Sequence, residues 1–197
     1  MLNVTPSRRA ALVAAPLLLL FVGSALAHPG HDHAHGGGFV AGLAHPLLGP
    51  DHLLAMLAVG LWSRHQPGGG LMPLLAVAGM LLGAGLAWSG IALPGVEFGI
   101  ALSLLLVGVL IAALVRLPSL VGTGVILLFM LFHGHAHGSE MPLGASLIAY
   151  LAGFTLATLA ITLAGRLAGG WLMARDNRIL RGLGVVLAGI GALFVVG

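Results

Sequence analysis

Two short stretches hold most of the side chains able to do chemistry. The first is HPLLGPDHLLAMLAVG, His45 to Gly60, and the second is FHGHAHGSE, residues 132–140. In the first, His52 and Met56 are four residues apart and share one helical face, and His45 precedes His52 by seven. Pro46 and Pro50 lack amide protons, so the carbonyls of Gly42 and Pro46 lose their usual helical partners. His45, which precedes a proline, is expected to be pushed away from helical geometry. In the second, His133, His137 and Glu140 are offset by four and three and line one face, while His135 points elsewhere. Asp51 at mid-bilayer costs about 2.5–3.5 kcal/mol on the insertion scale, and a bound cation is the simplest offset. Imidazole, carboxylate and thioether together suit a divalent transition metal better than Na⁺ or Mg²⁺.

The elements that must position these groups are membrane helices. Of 197 residues, 59% are hydrophobic and 7% charged, and the mean hydropathy is +1.11. Soluble domains carry roughly 25% charged residues, so the composition is that of an integral membrane protein. No Walker-type phosphate loop is present, which argues against an ATP-driven pump. Absent cysteine excludes disulfides and thiolate metal sites. The pI of 11.2 arises from eight scattered arginines and no lysine, an arrangement that sets topology and offers no surface to nucleic acid.

Residues 1–27 read as an export signal: Arg8 and Arg9, an apolar Ala10–Val22 stretch, then Ala25-Leu26-Ala27 as a small-residue cleavage site. A His-rich tail, 28–38, carries His28, His31, His33 and His35. The remainder, 39–197, is expected to form an all-α bundle of six membrane helices, the first interrupted by proline. The apolar stretches run 39–62, 71–90, 96–115, 117–138, 142–165 and 178–196, separated by turn formers such as QPGGG and LPG. With the mature amino terminus outside the cytoplasm, every arginine beyond the leader falls on the cytoplasmic side, Arg166, Arg175, Arg178 and Arg181 bracketing the last link. Both mature ends are then periplasmic and the protein sits in a bacterial inner membrane. Small-xxx-small pairs at Gly79/Gly83, Gly95/Gly99 and Gly165/Gly169, with Gly182, Gly184, Gly189 and Gly191 near the end, predict close helix packing.

Along a helix rising 1.5 Å per residue, His45 lies about 9 Å below the outer end of the first span and Asp51/His52 about 18–20 Å below it. The second cluster sits near the outer mouth, and Glu97 opens the third span from the same side. The ligands thus descend from the tail to the middle of the first span, which favours capture outside and delivery inward. Taken singly, a membrane histidine or Met56 reads as packing, the tail as a weak buffer and Glu97 as an interfacial residue. Three histidines, an aspartate and a glutamate on two spans with helical phasing do not reduce to such accidents.

At these two motifs the sequence resembles the HupE/UreJ family of small nickel or cobalt permeases. HPLLGPDHLLAMLAVG matches its first-span pattern, His-Pro-x-x-Gly-x-Asp-His followed by Met and Gly, and FHGHAHGSEMP matches its second, Phe-His-Gly-x-Ala-His-Gly-x-Glu. The resemblance covers nearly the whole chain. It implies metal-handling roles for His45, Asp51, His52, His133, His137 and Glu140, and places Glu97 where the family has a third-span glutamate. It also implies Ni²⁺ as cargo, no prosthetic group, and service to hydrogenase or urease maturation and its accessory proteins; ligand type and spacing alone leave nickel, cobalt and zinc open. The expected function is a secondary permease importing Ni²⁺ or Co²⁺ and not an enzyme. The competing readings are an intramembrane metal-dependent hydrolase, with Glu140 as general base, and a membrane metal receptor or chaperone without transport.

Overall fold

The computed structural model describes residues 38–141 and 144–197. The expected leader, 1–27, and the histidines of the expected tail, His28, His31, His33 and His35, lie outside the described residues. Within them the elements are α1 (Gly38–Leu48), α2 (Pro50–His65), a short 3-10 turn (Gly69–Leu71), α3 (Met72–Trp88), α4 (Val96–Ala112), α5 (Ser119–Ser139), α6 (Leu147–Arg175) and α7 (Asn177–Val196). The described residues contain no strand. Four helical stretches are long and apolar enough to cross a membrane: Gly69–Trp88, Ser119–Ser139, Leu147–Arg175 and Asn177–Val196. Gly38–Leu48 and Val96–Ala112 are shorter apolar helices. Large apolar side chains such as Leu120, Ile148, Leu167 and Val196 are more than two-thirds exposed, an arrangement that lipid accepts and water penalises.

The interruption between α1 and α2 falls later than the proline positions suggest. α1 continues through His45 and Pro46 to Leu48, so His45 is helical, contrary to expectation. Pro46 lies in the last turn of α1, where its missing N–H leaves the Gly42 carbonyl without its i+4 partner but does not stop the helix before Leu48. The residue forced out of helical geometry is instead Gly49, which precedes Pro50 and is extended at φ −88°, ψ 108°. Pro50 occupies the start of α2, where no amide proton is needed.

Helices pair by glycine, and they do not pair in chain order. The most extensive contacts join α1 and α2 to α6, α3 to α5, and α4 to α7. A Cβ at Gly42 would collide with the Tyr150 backbone, and one at Gly60 with the Thr162 carbonyl. Gly165 and Gly169 meet the backbones of Leu57 and Leu61, so α6 runs parallel to α1–α2 and in step with them. Gly83 and Gly134 likewise bring α3 and α5 into backbone contact at Leu131 and Met80, and Gly184 and Gly191 join α7 to α4 at Ala112 and Leu105. Gly182 and Gly189 have nothing within reach. Gly95 also differs from its expected packing role: nothing approaches it, and its φ of 67° starts α4 from the left-handed region.

α6 is longer than the apolar stretch predicts. It has 29 residues and passes through Arg166 to Arg175, and Asp176 alone separates it from α7, accepting from the Arg178 amide at 2.8 Å. Arg166 does not end the helix because its guanidinium is satisfied sideways, on the carbonyls of Ser63 and Gly69. At this same end of the bundle the α4–α5 link is held to α2. Trp62 Nε1 and Gln66 Nε2 donate to the Val115 carbonyl at 3.2 and 2.7 Å, and His65 Nε2 donates to that of Leu114, whose φ is 54°.

Replacing Gly134 with Val forces a side chain into the Met80 backbone, an overpacking expected to cost about 1–3 kcal/mol or more. Thermal unfolding of the purified protein in detergent should show a clear drop for Gly134→Val. Gly124→Ala, on the same helix with open space around it, should leave stability equal or slightly raised.

Candidate metal centre

The cluster forms where the end of α1, the start of α2 and the end of α5 meet. α5 continues as a helix through its histidines to Ser139, so His133 and His137 lie one turn apart on one face and Glu140 caps the helix end. From α1, His45 Nε2 is 2.9 Å from Glu140 Oε2. The ligand atoms of His45, His137 and Glu140 lie within 4.8 Å of one another, a span one metal ion can bridge. From α2, His52 Nδ1 is 2.9 Å from His133 Nδ1, and its Nε2 is 3.9 Å from the Asp51 carboxylate. The His52 ring lies 4.1 Å from that of His137, centroid to centroid, and the His45 ring 4.7 Å from it. All six residues singled out by spacing, His45, Asp51, His52, His133, His137 and Glu140, therefore occupy one continuous group, and the expected drop from the α5 histidines to His52 is absent because His52 and His133 are in contact.

The hydrogen bonds fix how some of these rings are oriented. Ser103 on α4 donates its one proton to the Ile100 carbonyl at 2.7 Å, so its oxygen accepts from His133 Nε2 at 2.9 Å. A neutral His133 then carries its lone pair on Nδ1, the nitrogen that faces His52. Two nitrogens bound to one ion at roughly 2.1 Å with a right angle between them stand about 3.0 Å apart, so the 2.9 Å pair is spaced for adjacent ligands as well as for a hydrogen bond. His133 is fully buried and His137 is 1% exposed.

His137 is the strongest indication of what is held here. Both of its ring nitrogens are buried and neither has a hydrogen-bond partner within the protein. A neutral imidazole carries one N–H and one lone pair, and burying them unmatched is unfavourable. A cation between His137, His45 and Glu140 satisfies the lone pair. The donor set, imidazole nitrogens with carboxylate oxygens, is that of a borderline divalent transition metal. Two carboxylates stand among the imidazoles, Glu140 at 2.9 Å from His45 Nε2 and Asp51 at 3.9 Å from His52 Nε2, so anionic oxygens are at hand for a bound cation.

Other expected residues take different places. Glu97 is exposed in the first turn of α4 and is not among the residues whose ligand atoms converge. Met56, one turn beyond His52, is fully buried in the apolar core of the bundle. His135 leaves the group, as its phasing implies, and donates from Nε2 to the Ile91 carbonyl at 2.9 Å. Sequence reasoning missed Ser103 and Tyr150. Tyr150 packs 6.1 Å from His45, ring to ring, and its hydroxyl reaches the His137 carbonyl at 3.4 Å. The available signal was a lone hydroxyl in an apolar stretch: Ser103 within ALSLLLVG, and Tyr150 as the one tyrosine of the chain.

The model of the family described as HupE / UreJ protein matches residues 16–194. Protein HupE of Rhizobium leguminosarum bv. viciae is 43% identical over 148 residues, covering 72% of this chain and 78% of that protein. No solved structure matches the chain. The match extends from before α1 almost to the end of α7 and includes both histidine stretches, and the chain belongs to the HupE/UreJ family.

Proposed function

We propose that this protein is a secondary permease that carries Ni²⁺, or Co²⁺, inward across a bacterial inner membrane to supply hydrogenase or urease maturation. The observation that carries this reading is the unpartnered His137 imidazole, enclosed by His45, His52, His133 and Glu140 within an apolar bundle. His45, Asp51, His52, His133, His137 and Glu140 hold the ion. The tail histidines His28, His31, His33 and His35, freed by loss of the leader, collect it, and Glu97 adds attraction at the mouth.

Six spans with both mature ends periplasmic suit this role. α1 and α2 together make the first span, and α4, at 17 residues, covers about 25 Å as the third. The parallel alignment of α1–α2 with α6 supports the count, because a first and a fifth span cross in the same direction. Arg64, Arg116 and Arg166 to Arg181 then share the cytoplasmic side. A binding site near the outer face that relies on neutral imidazoles captures metal less well in acid, since protons compete for the same lone pairs.

Nickel uptake into cells, and flux into liposomes containing the purified protein alone, check this directly. Asp51→Asn and His52→Ala should each lower initial uptake by about tenfold or more at equal expression. Binding without flux by the purified wild type would favour a receptor or chaperone, and hydrolytic turnover would favour an enzyme. Ser103→Ala should weaken nickel binding by roughly tenfold by releasing the His133 tautomer, and Ser103→Thr, which keeps the hydroxyl, should restore most of it. Isothermal titration with Ni²⁺ in detergent measures both.

A further inference from the structure

Below the cluster, one ridge of α6 differs from the rest of that helix. Tyr150, Phe154, Thr158, Thr162 and Arg166 recur every fourth residue, the spacing of a continuous side-chain ridge. Its upper end belongs to the metal centre: the Tyr150 hydroxyl reaches the His137 carbonyl, and the Phe154 ring lies 4.8 Å from the His137 ring. Its lower end is Arg166, whose Nη1 donates to the Ser63 carbonyl at 2.9 Å, the Gly69 carbonyl at 2.9 Å and Ser63 Oγ at 3.3 Å. Between them are two buried hydroxyls. Thr162 returns its proton to the Thr158 carbonyl at 2.7 Å, the ordinary solution for a threonine in an apolar helix. Thr158, 1% exposed, has no hydrogen-bond partner for its own hydroxyl.

The depth of Thr158 follows from the backbone contacts. Gly42 packs on Tyr150 and Phe154, and Gly60 on Thr162 and Arg166. Thr158 lies midway between those levels on α6, and Asp51–His52 midway between them on the first span. An unpaired hydroxyl thus stands level with, or just beneath, the imidazoles. Further down, α2 offers the buried thioether of Met56 and the buried hydroxyl of Ser63. Ser63 lies near the carboxyl end of α2, where the helix presents partial negative charge, and three oxygens there converge on one guanidinium nitrogen. That is a cradle for a cation, and the chain fills it with a cation of its own.

We propose that this ridge is the inner leg of the ion's route, with Thr158 as the first oxygen met on leaving the imidazoles and Arg166 as a tethered cation that closes the far end until it is displaced. The inference rests on the permease reading. A fixed guanidinium at the end of a narrow path repels a divalent ion, as an arginine excludes cations from other membrane pores, and its departure would free oxygens that the passing ion can use. Nothing in the recognition of the ion by the imidazoles requires Thr158 or Arg166, so binding and passage should separate.

The test uses full-length protein, with Ni²⁺ as the probe, in two measurements: titration in detergent and flux into liposomes. Thr158→Val keeps volume and removes the hydroxyl; it should bind Ni²⁺ within about twofold of wild type yet conduct roughly fivefold more slowly. Arg166→Gln retains hydrogen bonding to the carbonyls without the charge and should conduct about threefold faster, whereas Arg166→Lys should stay near wild type. Flux in Thr158→Val equal to wild type overturns the proposal, as does slower flux in a stable Arg166→Gln. Should Arg166→Gln fail to fold, Thr158→Val decides alone. A wild type that binds Ni²⁺ but conducts none removes the permease reading and this route with it, while a conducting wild type with indifferent variants removes the route only.

Discussion

The constraint on which this structure depends is the burial of imidazole. His52, His133 and His137 are withdrawn from water inside a bundle whose outer surface is apolar, so each ring nitrogen must find its partner within the protein or on something the protein holds. His133 finds Ser103 on one side and His52 on the other. His137 finds nothing on either nitrogen. Unequal satisfaction within one cluster is informative: where the chain could have supplied a serine, as it does for His133, it has left the ring available.

That availability is created by how the helices are joined. Backbone contact through Gly42, Gly60 and Gly165 locks α1–α2 to α6, contact through Gly83 and Gly134 locks α3 to α5, and contact through Gly184 and Gly191 locks α4 to α7. The cluster lies across all three pairs. His45, Asp51, His52 and Tyr150 come from the first, His133, His137 and Glu140 from the second, and Ser103 from the third. Glycine packing allows little give within a pair. An ion bound at this junction is therefore held by groups whose positions are set by three separate, stiff units.

Much of this was legible in the sequence because helical phasing is a local rule. The offsets between His133, His137 and Glu140 place them together without reference to any other part of the chain, and the burial cost of Asp51 demands a partner wherever it lies. Other features depend on distant contacts and left weaker traces. Ser103 is one hydroxyl in an apolar run, and its value comes from facing His133, which spacing does not encode. Arg166 reads locally as the end of a span; its charge is accommodated by carbonyls of Ser63 and Gly69, about a hundred residues earlier, and the helix continues. The break in the first helix was visible as two prolines, but which one breaks it was not. Pro46 deprives α1 of one backbone bond without stopping it, and the disruption falls on the glycine ahead of Pro50.

The order of pairing has a consequence for how the protein is made. No strongly joined pair consists of helices adjacent in the chain: the first two helices wait for the sixth, the third for the fifth, and the fourth for the seventh. A ribosome delivering this chain into a bilayer therefore cannot complete hairpins one by one, and contacts of such long sequence separation form late. Until α5 and α6 emerge, Asp51 and His52 lack His133, His137 and Glu140, and the grooves at Gly42 and Gly60 stand open to lipid or to the insertion machinery. Assembly of the bundle and creation of the binding site are thus one event, which waits for α5 and α6.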